Sequence, residues 1–256
     1  MLLINKFSGI TLLPVVLCAW LSVGSLAIGA TPTPLINTIK LPASEDGDSP
    51  INFTRNRWYE LDLVPPSFRG YNKNIEFYFH SEEKEGTRES QFRVKNRDKA
   101  NAIITIDGIT YELINFHFHA PGEHQLEGEQ FPIEAHFVHR SKSKDLAVIG
   151  LLFKLGQHNS DLQRFIDFAK NDNGTESTQK LKINGLLPTD FKKMYYRYHG
   201  SLTTPPYTRG VKWMVRRASV ELSDEQLKQI KDLGMNLGHR DVQDIGIRAV
   251  VADCTE

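Results

Sequence analysis

Between residues 75 and 153 the apolar positions come in short bursts divided by polar ones. Residues 75–79, 102–107, 110–116, 133–138 and 146–153 are rich in β-branched and aromatic side chains, and each is too short for a packed helix. That pattern predicts strands. A helical spacing occurs in only two places. Leu162, Phe165, Ile166 and Phe168 recur that way over residues 160–170, with Phe168 widening the stripe. Ser223-Asp-Glu-Gln226 reads as a capping box ahead of Leu227, Ile230 and Leu233, with Gly234 as the stop. Residues 81–90 carry a run of charge and read as a solvated loop. With neither repeat nor low-complexity tract, the balance predicts a mainly β (α+β) domain with short peripheral helices.

The first thirty residues follow another pattern. Lys6 precedes an apolar run over residues 10–26, and small residues follow over 25–30, which predicts a secretory signal peptide cut between Ala27 and Ala30. An uncleaved membrane anchor is the competing reading; lipidation at Cys18 lacks the small residue expected before it. Residues 31–48, rich in Pro, Ser, Asp and Gly, read as an extended arm, and 49–256 as one domain. The protein is therefore expected to be secreted or periplasmic. Without the signal, Cys254 is the one cysteine left, so no intramolecular disulfide is expected. No later segment is long and apolar enough to span a bilayer, so no stable membrane insertion is expected after signal removal. With 31 basic and 31 acidic side chains, no nucleic-acid partner is expected either. Asn52 and Asn173 begin glycosylation sequons, which matter only in a eukaryotic secretory path.

Three of the nine histidines stand out. In Phe116-His-Phe-His119 strict alternation puts His117 and His119 on one strand face and the phenylalanines on the other. Glu134-Ala-His136-Phe-Val138 alternates too. If the two strands pair face to face, three imidazoles converge, which is the ligand set of a catalytic zinc with its fourth position open to water. Exposed strand histidines are the plain alternative, and the remaining six histidines take that reading. Glu134 beside His136 and Asn115 beside His117 suit the role of acceptors that orient a ligating ring.

With these segments in view the chain resembles the alpha-class carbonic anhydrases. The matching stretches are Ser49-Pro-Ile-Asn52, Tyr111-Glu-Leu113, Asn115-Phe-His-Phe-His-Ala-Pro-Gly-Glu-His124, Phe131-Pro-Ile-Glu-Ala-His-Phe-Val-His139, Leu146-Ala-Val-Ile-Gly150 and Tyr198-His-Gly-Ser-Leu-Thr-Thr-Pro-Pro206. Val211-Lys-Trp213, Arg240-Asp-Val-Gln243 and Arg248 follow the same pattern. The resemblance implies a central twisted, mostly antiparallel sheet with zinc in a conical cleft. It implies reversible hydration of carbon dioxide to bicarbonate by a zinc-bound hydroxide that Thr203 and Glu123 orient. Thr204 would help hold bicarbonate, Val138, Val148, Leu202, Val211 and Trp213 would form the apolar wall for carbon dioxide, and small anions and sulfonamides would inhibit.

Departures from the family bear on speed. Fast members relay the released proton through a cleft histidine after an Asn-Gly pair. Here residues 94–100 read Val-Lys-Asn-Arg-Asp-Lys-Ala, which puts Asp98 nearest that position. A carboxylate near pKa 3.9 suits a relay at neutral pH poorly, so slow proton transfer is expected unless His80 or buffer substitutes. The aromatic motif before Ser49 is missing, Asn115 stands where the family usually has glutamine, and Tyr207 where it often has cysteine. A zinc-binding, weakly active or non-catalytic relative serving as a binding module is the rival reading. A zinc hydrolase would want His-Glu-x-x-His, which is absent, and a structural zinc would want a fourth protein ligand.

Overall fold

The computed structural model describes residues 47–61, 63–84, 87–172, 177–187, 194–235 and 238–253. The expected signal peptide, nearly all of the arm, the Asn173 sequon and Cys254 lie outside them. Among the described residues no helix is long and apolar enough to cross a membrane.

A 13-stranded sheet forms the body. From one edge its order is Thr178–Leu181, Ile75–Lys84, Thr87–Val94, Ile109–His119, Ile133–Ser141, Leu146–Leu155, Arg209–Arg216, Tyr195–Ser201, Val251–Asp253 and Tyr59–Leu61, with three short strands off this path. Leu146–Leu155 runs parallel to Arg209–Arg216 and to Val220–Leu222, and Val251–Asp253 runs parallel to Tyr59–Leu61; the sheet's other pairings are antiparallel. The sheet is thus mixed and mostly antiparallel, as expected. All five strands read from the apolar bursts are present, most of them extended by a few residues.

One expectation fails. Residues 81–90 do not form a loop: the strands Ile75–Lys84 and Thr87–Val94 pair through this stretch as a hairpin. Charge dominates the composition there, so the sequence reads as solvated chain although the described residues pair from Ser81 with Ser90 to Lys84 with Thr87.

Each face of the sheet carries its own apolar cluster. On one, Phe77, Phe92, Phe116, Phe118 and Phe137 meet the helix Ser160–Lys170. Phe116 stacks on Phe92 at 4.8 Å and on Phe137 at 5.2 Å, and its edge contact with Phe165 is 4.9 Å. The other face holds a smaller cluster with Val138, Val148, Tyr198, Val211 and Trp213. The helix Asp224–Asp232 begins with the expected capping box, Ser223 Oγ accepting from Gln226 N–H and Gln226 Oε1 accepting from Ser223 N–H.

His139 is fully buried and hydrogen-bonded to the Tyr71 hydroxyl. Burial pushes its pKa down to about 3, and hydrogen bonding to the Ala147 and Phe137 backbone opposes this only in part. The folded value lies below the unfolded one near 6.5, so the unfolded chain binds more protons between them and stability falls as pH drops below about 6.5. From pH 7 to pH 5 this group alone costs about 2 kcal/mol. Urea unfolding of His139→Gln is expected to show a pH 7-to-5 loss smaller by about that amount; an unchanged loss contradicts the assignment.

Candidate metal centre

Packing decides which way the histidines face. Phe116 and Phe118 are fully buried in the larger cluster, so alternation turns His117 and His119 to the opposite face. The register then sets His136 across from His117 and Glu134 across from His119. Ring centroids lie 4.5 Å apart for His119 and His136, 5.0 Å for His117 and His119, and 5.5 Å for His117 and His136. One nitrogen from each ring falls within 4.8 Å of the other two.

The second nitrogen of each ring already has a partner. His117 Nδ1 lies 3.2 Å from Asn115 Oδ1, His119 Nδ1 2.9 Å from the Gly238 carbonyl, and His136 Nε2 2.9 Å from Glu134 Oε1. With those nitrogens donating, the lone pairs of His117 Nε2, His119 Nε2 and His136 Nδ1 aim at one point. His119 Nε2 is buried and has no hydrogen-bond partner among the described residues. Such an orphan is costly unless something takes up its lone pair. A small cation with nitrogen ligands fits, and zinc takes three such donors in catalytic sites.

Burial lowers the pKa of all three imidazoles. His117 is pushed down to about 3, with the nearby charge of His136 adding to burial and Glu134 opposing it. His119 is held well below its ordinary value by burial and then by His136 and His117, and His136 is lowered by burial against the pull of Glu134. The rings are therefore neutral near pH 7, and protons do not compete for the lone pairs.

Glu134 holds the centre together. Its Oε2 accepts from the backbone N–H groups of Glu123 at 2.9 Å and His124 at 2.8 Å, while Oε1 lies 2.7 Å from His124 Nδ1 and 2.9 Å from His136 Nε2. Burial would raise this carboxyl, but His124 and His136 hold it well below the usual range. Gly150, across from His136, leaves it room: a Cβ there would sit 2.8 Å from Glu134 Oε1. His124, Glu134 and His136 also form a candidate ligand cluster. His124 Nδ1 and His136 Nε2 are already hydrogen-bonded to Glu134 Oε1, and His124 Nε2 to the Tyr198 hydroxyl at 2.7 Å, so the one lone pair left in that second cluster is that of His136 Nδ1, which faces His117 and His119.

Thr203 and Glu123 are both buried. Burial pushes the Glu123 carboxyl well above its usual range; the Thr203 hydroxyl draws it back, as does Arg240 through its backbone N–H, which donates to Glu123 Oε1 at 2.8 Å. Val138, Val148, Val211 and Trp213 form one buried cluster with Leu202 packed against it, and Trp213 lies 4.8 Å from the His136 ring. Trp213 Nε1 donates to the Ser201 carbonyl at 2.9 Å, which fixes the start of the loop bearing Leu202, Thr203 and Thr204. Half-buried Thr204 closes the turn of that loop, its carbonyl accepting from Tyr207 N–H at 2.9 Å. Asp98 belongs to the short helix Arg97–Ala100, past the strand Thr87–Val94, and its side chain lies outside the described residues.

Residues 38–253 match the family described as eukaryotic-type carbonic anhydrase. The chain belongs to that family. A carbonic anhydrase of Neisseria gonorrhoeae is 30% identical over 218 residues, covering 85% of this chain and 81% of that one. One from Pectobacterium carotovorum is 36% identical over 150 residues, 58% of this chain and 61% of the relative's own length. The solved alpha-carbonic anhydrase of Thermovibrio ammonificans, in complex with the inhibitor sulfanilamide, superposes with a TM-score of 0.67 at 30% identity, covering 80% of this chain and 86% of that one.

Sequence reasoning brought the three imidazoles, Glu134 and Asn115 to this place but gave His124, Tyr198, Ser49 and Gly238 no part in it. The Tyr198 hydroxyl lies 2.7 Å from both His124 Nε2 and Ser49 Oγ, extending the chain from Glu134 through His124. Only the motif segments holding Ser49, His124 and Tyr198 hinted at this.

Proposed function

We propose that the chain catalyses the reversible hydration of carbon dioxide to bicarbonate and a proton. Zinc would be held by His117 Nε2, His119 Nε2 and His136 Nδ1. The observation that carries this reading is the meeting of three neutral imidazole nitrogens, each ring fixed from behind by an acceptor. Zinc in such a set acts as a Lewis acid that makes water nucleophilic near neutral pH, the established behaviour of carbonic anhydrases.

The chain's own residues then supply orientation and shelter. Glu123, anchored by the Arg240 N–H, would accept a hydrogen bond from the Thr203 hydroxyl, leaving Thr203 Oγ1 to accept one from the attacking water or hydroxide. That arrangement aims one oxygen lone pair toward the apolar wall. Carbon dioxide carries no charge and no donor, so Val138, Val148, Leu202, Val211 and Trp213 suffice to seat it beside the nucleophile. Thr204, next to Thr203, helps hold bicarbonate. The same reading takes residues 1–30 as an export signal, placing the protein in the periplasm or outside the cell.

Stopped-flow hydration by the purified protein, before and after chelation and zinc re-addition, tests this; hydration that is absent, or indifferent to metal, overturns it. Thr203→Ala is expected to lower hydration roughly 10²-fold, the scale of losing one preorganised hydrogen-bonding group, with zinc content unchanged. A wild-type rate in that variant removes Thr203 from the mechanism.

A further inference from the structure

Hydration releases one proton per carbon dioxide, and the groups around the centre are in no position to carry it away. The outer nitrogens of His117, His119 and His136 are hydrogen-bonded, and Glu123 and Glu134 are buried. A relay has to stand on the same face of the sheet, nearer solvent.

Strand register places one there. Arg93 pairs with Asn115 and Phe92 with Phe116, and paired residues in an antiparallel sheet share a face. Arg93 and Gln91 therefore lie on the side of Asn115 and His117. In the hairpin beyond, Gln91 pairs with His80 and Arg93 with Tyr78. Burial agrees: Phe77, Phe79, Phe92 and Phe116 are buried on the opposite face, while Tyr78, His80, Gln91 and Arg93 are only half-buried. His80 is thus across from Gln91 and on the face of Asn115 and His117; carried one residue past the last pair, Phe92 with Phe116, the register sets Gln91 toward His117. Two strand spacings of about 4.8 Å would put His80 on the order of 10 Å from His117, a gap for one or two waters.

We infer that His80 is the proton relay of this chain. Its imidazole takes the proton released by hydration through intervening water, becomes imidazolium, and is restored when buffer base removes that proton. Imidazole is the side chain suited to this exchange between pH 5 and 8. The His80 side chain is 20% exposed, and its Nε2 lies 3.6 Å from Glu82 Oε1. Among the described residues, the charged or titratable groups facing it are Glu82 and Tyr78 on its own strand and Glu89 and Arg93 on the neighbouring one, and Thr178–Leu181, on the far side, pairs as far as Tyr78.

The inference rests on the hydratase reading, and zinc-loaded His80→Ala tests it. In weak buffer at pH 7.5 its kcat is expected to fall at least about 10-fold with kcat/KM kept, the scale of losing a proton-transfer group. Added imidazole should restore kcat in the variant and barely change the wild type. A second readout needs no turnover: in cobalt(II)-loaded protein the ring-proton resonances that vanish in His80→Ala should be shifted and broadened as expected about 10 Å from the metal. Ring protons untouched by cobalt overturn the relay. An imidazole-insensitive kcat in His80→Ala, or an imidazole-rescued loss that appears in Asp98→Asn instead, overturns it too. If the wild type itself hydrates no carbon dioxide, the parent reading fails and the relay with it.

Discussion

Alanine at position 119 is expected to leave the chain folded but unable to hold zinc. His119 is fully buried, its Nε2 is the orphaned atom at the convergence point, and its Nδ1 is fixed by the Gly238 carbonyl. Removing it leaves two imidazoles, one of them only half-buried, and opens the centre to water. The fall in zinc affinity should exceed the roughly 10–100-fold that loss of a mere orienting partner costs. Zinc per chain after dialysis against a chelator the wild type withstands should drop from near one to near zero. Hydration and the expected binding of sulfanilamide should disappear with it. His158→Ala, at an exposed position, serves as the control that keeps both. If the His119 variant retains zinc, the ligand set is wrongly assigned.

The parts of this centre that were readable from the chain are those written in side-chain alternation. His117, His119 and His136 share a face because Phe116, Phe118 and Phe137 occupy the other, and a period of two residues is visible without coordinates. The register that sets His136 opposite His117 was not visible, since it depends on how the chain returns through residues 120–132. Nor was the acceptor for His119: a backbone carbonyl 119 positions away carries no side-chain signature. The hairpin containing His80 was missed because charge outweighs apolar content where the strands emerge into solvent. That miss mattered for the site. Matching residues 94–100 to the family put Asp98 nearest the relay position and left His80 dependent on how its loop folds, whereas the paired strands set His80 across from Gln91 on the face of Asn115 and His117.

Glutamine at position 134 is expected to separate zinc binding from folding. Glu134 is acceptor only, serving two backbone N–H groups through Oε2 and two imidazoles through Oε1. A glutamine keeps one oxygen, best spent on the backbone N–H groups, whose protons cannot move. Its amide NH2 then faces His124 Nδ1 and His136 Nε2, and both rings can answer by changing tautomer. His124 would carry its proton on Nε2 and donate to the Tyr198 hydroxyl, so that side of the network stays satisfied. His136 would carry its proton on Nδ1, the nitrogen whose lone pair faces the other two histidines, and would cease to be a donor. Unfolding free energy should therefore fall by only about 1–3 kcal/mol, the loss of the charge-assisted bonds, while zinc affinity falls at least about 10–100-fold. Glu134→Leu, which leaves the two backbone N–H groups with no acceptor whatever the tautomers of the rings, should cost more stability than Glu134→Gln. Urea unfolding of the metal-free variants and chelator competition for zinc measure the two quantities independently. A glutamine variant with wild-type zinc affinity would show that Glu134 does not set the tautomer of His136.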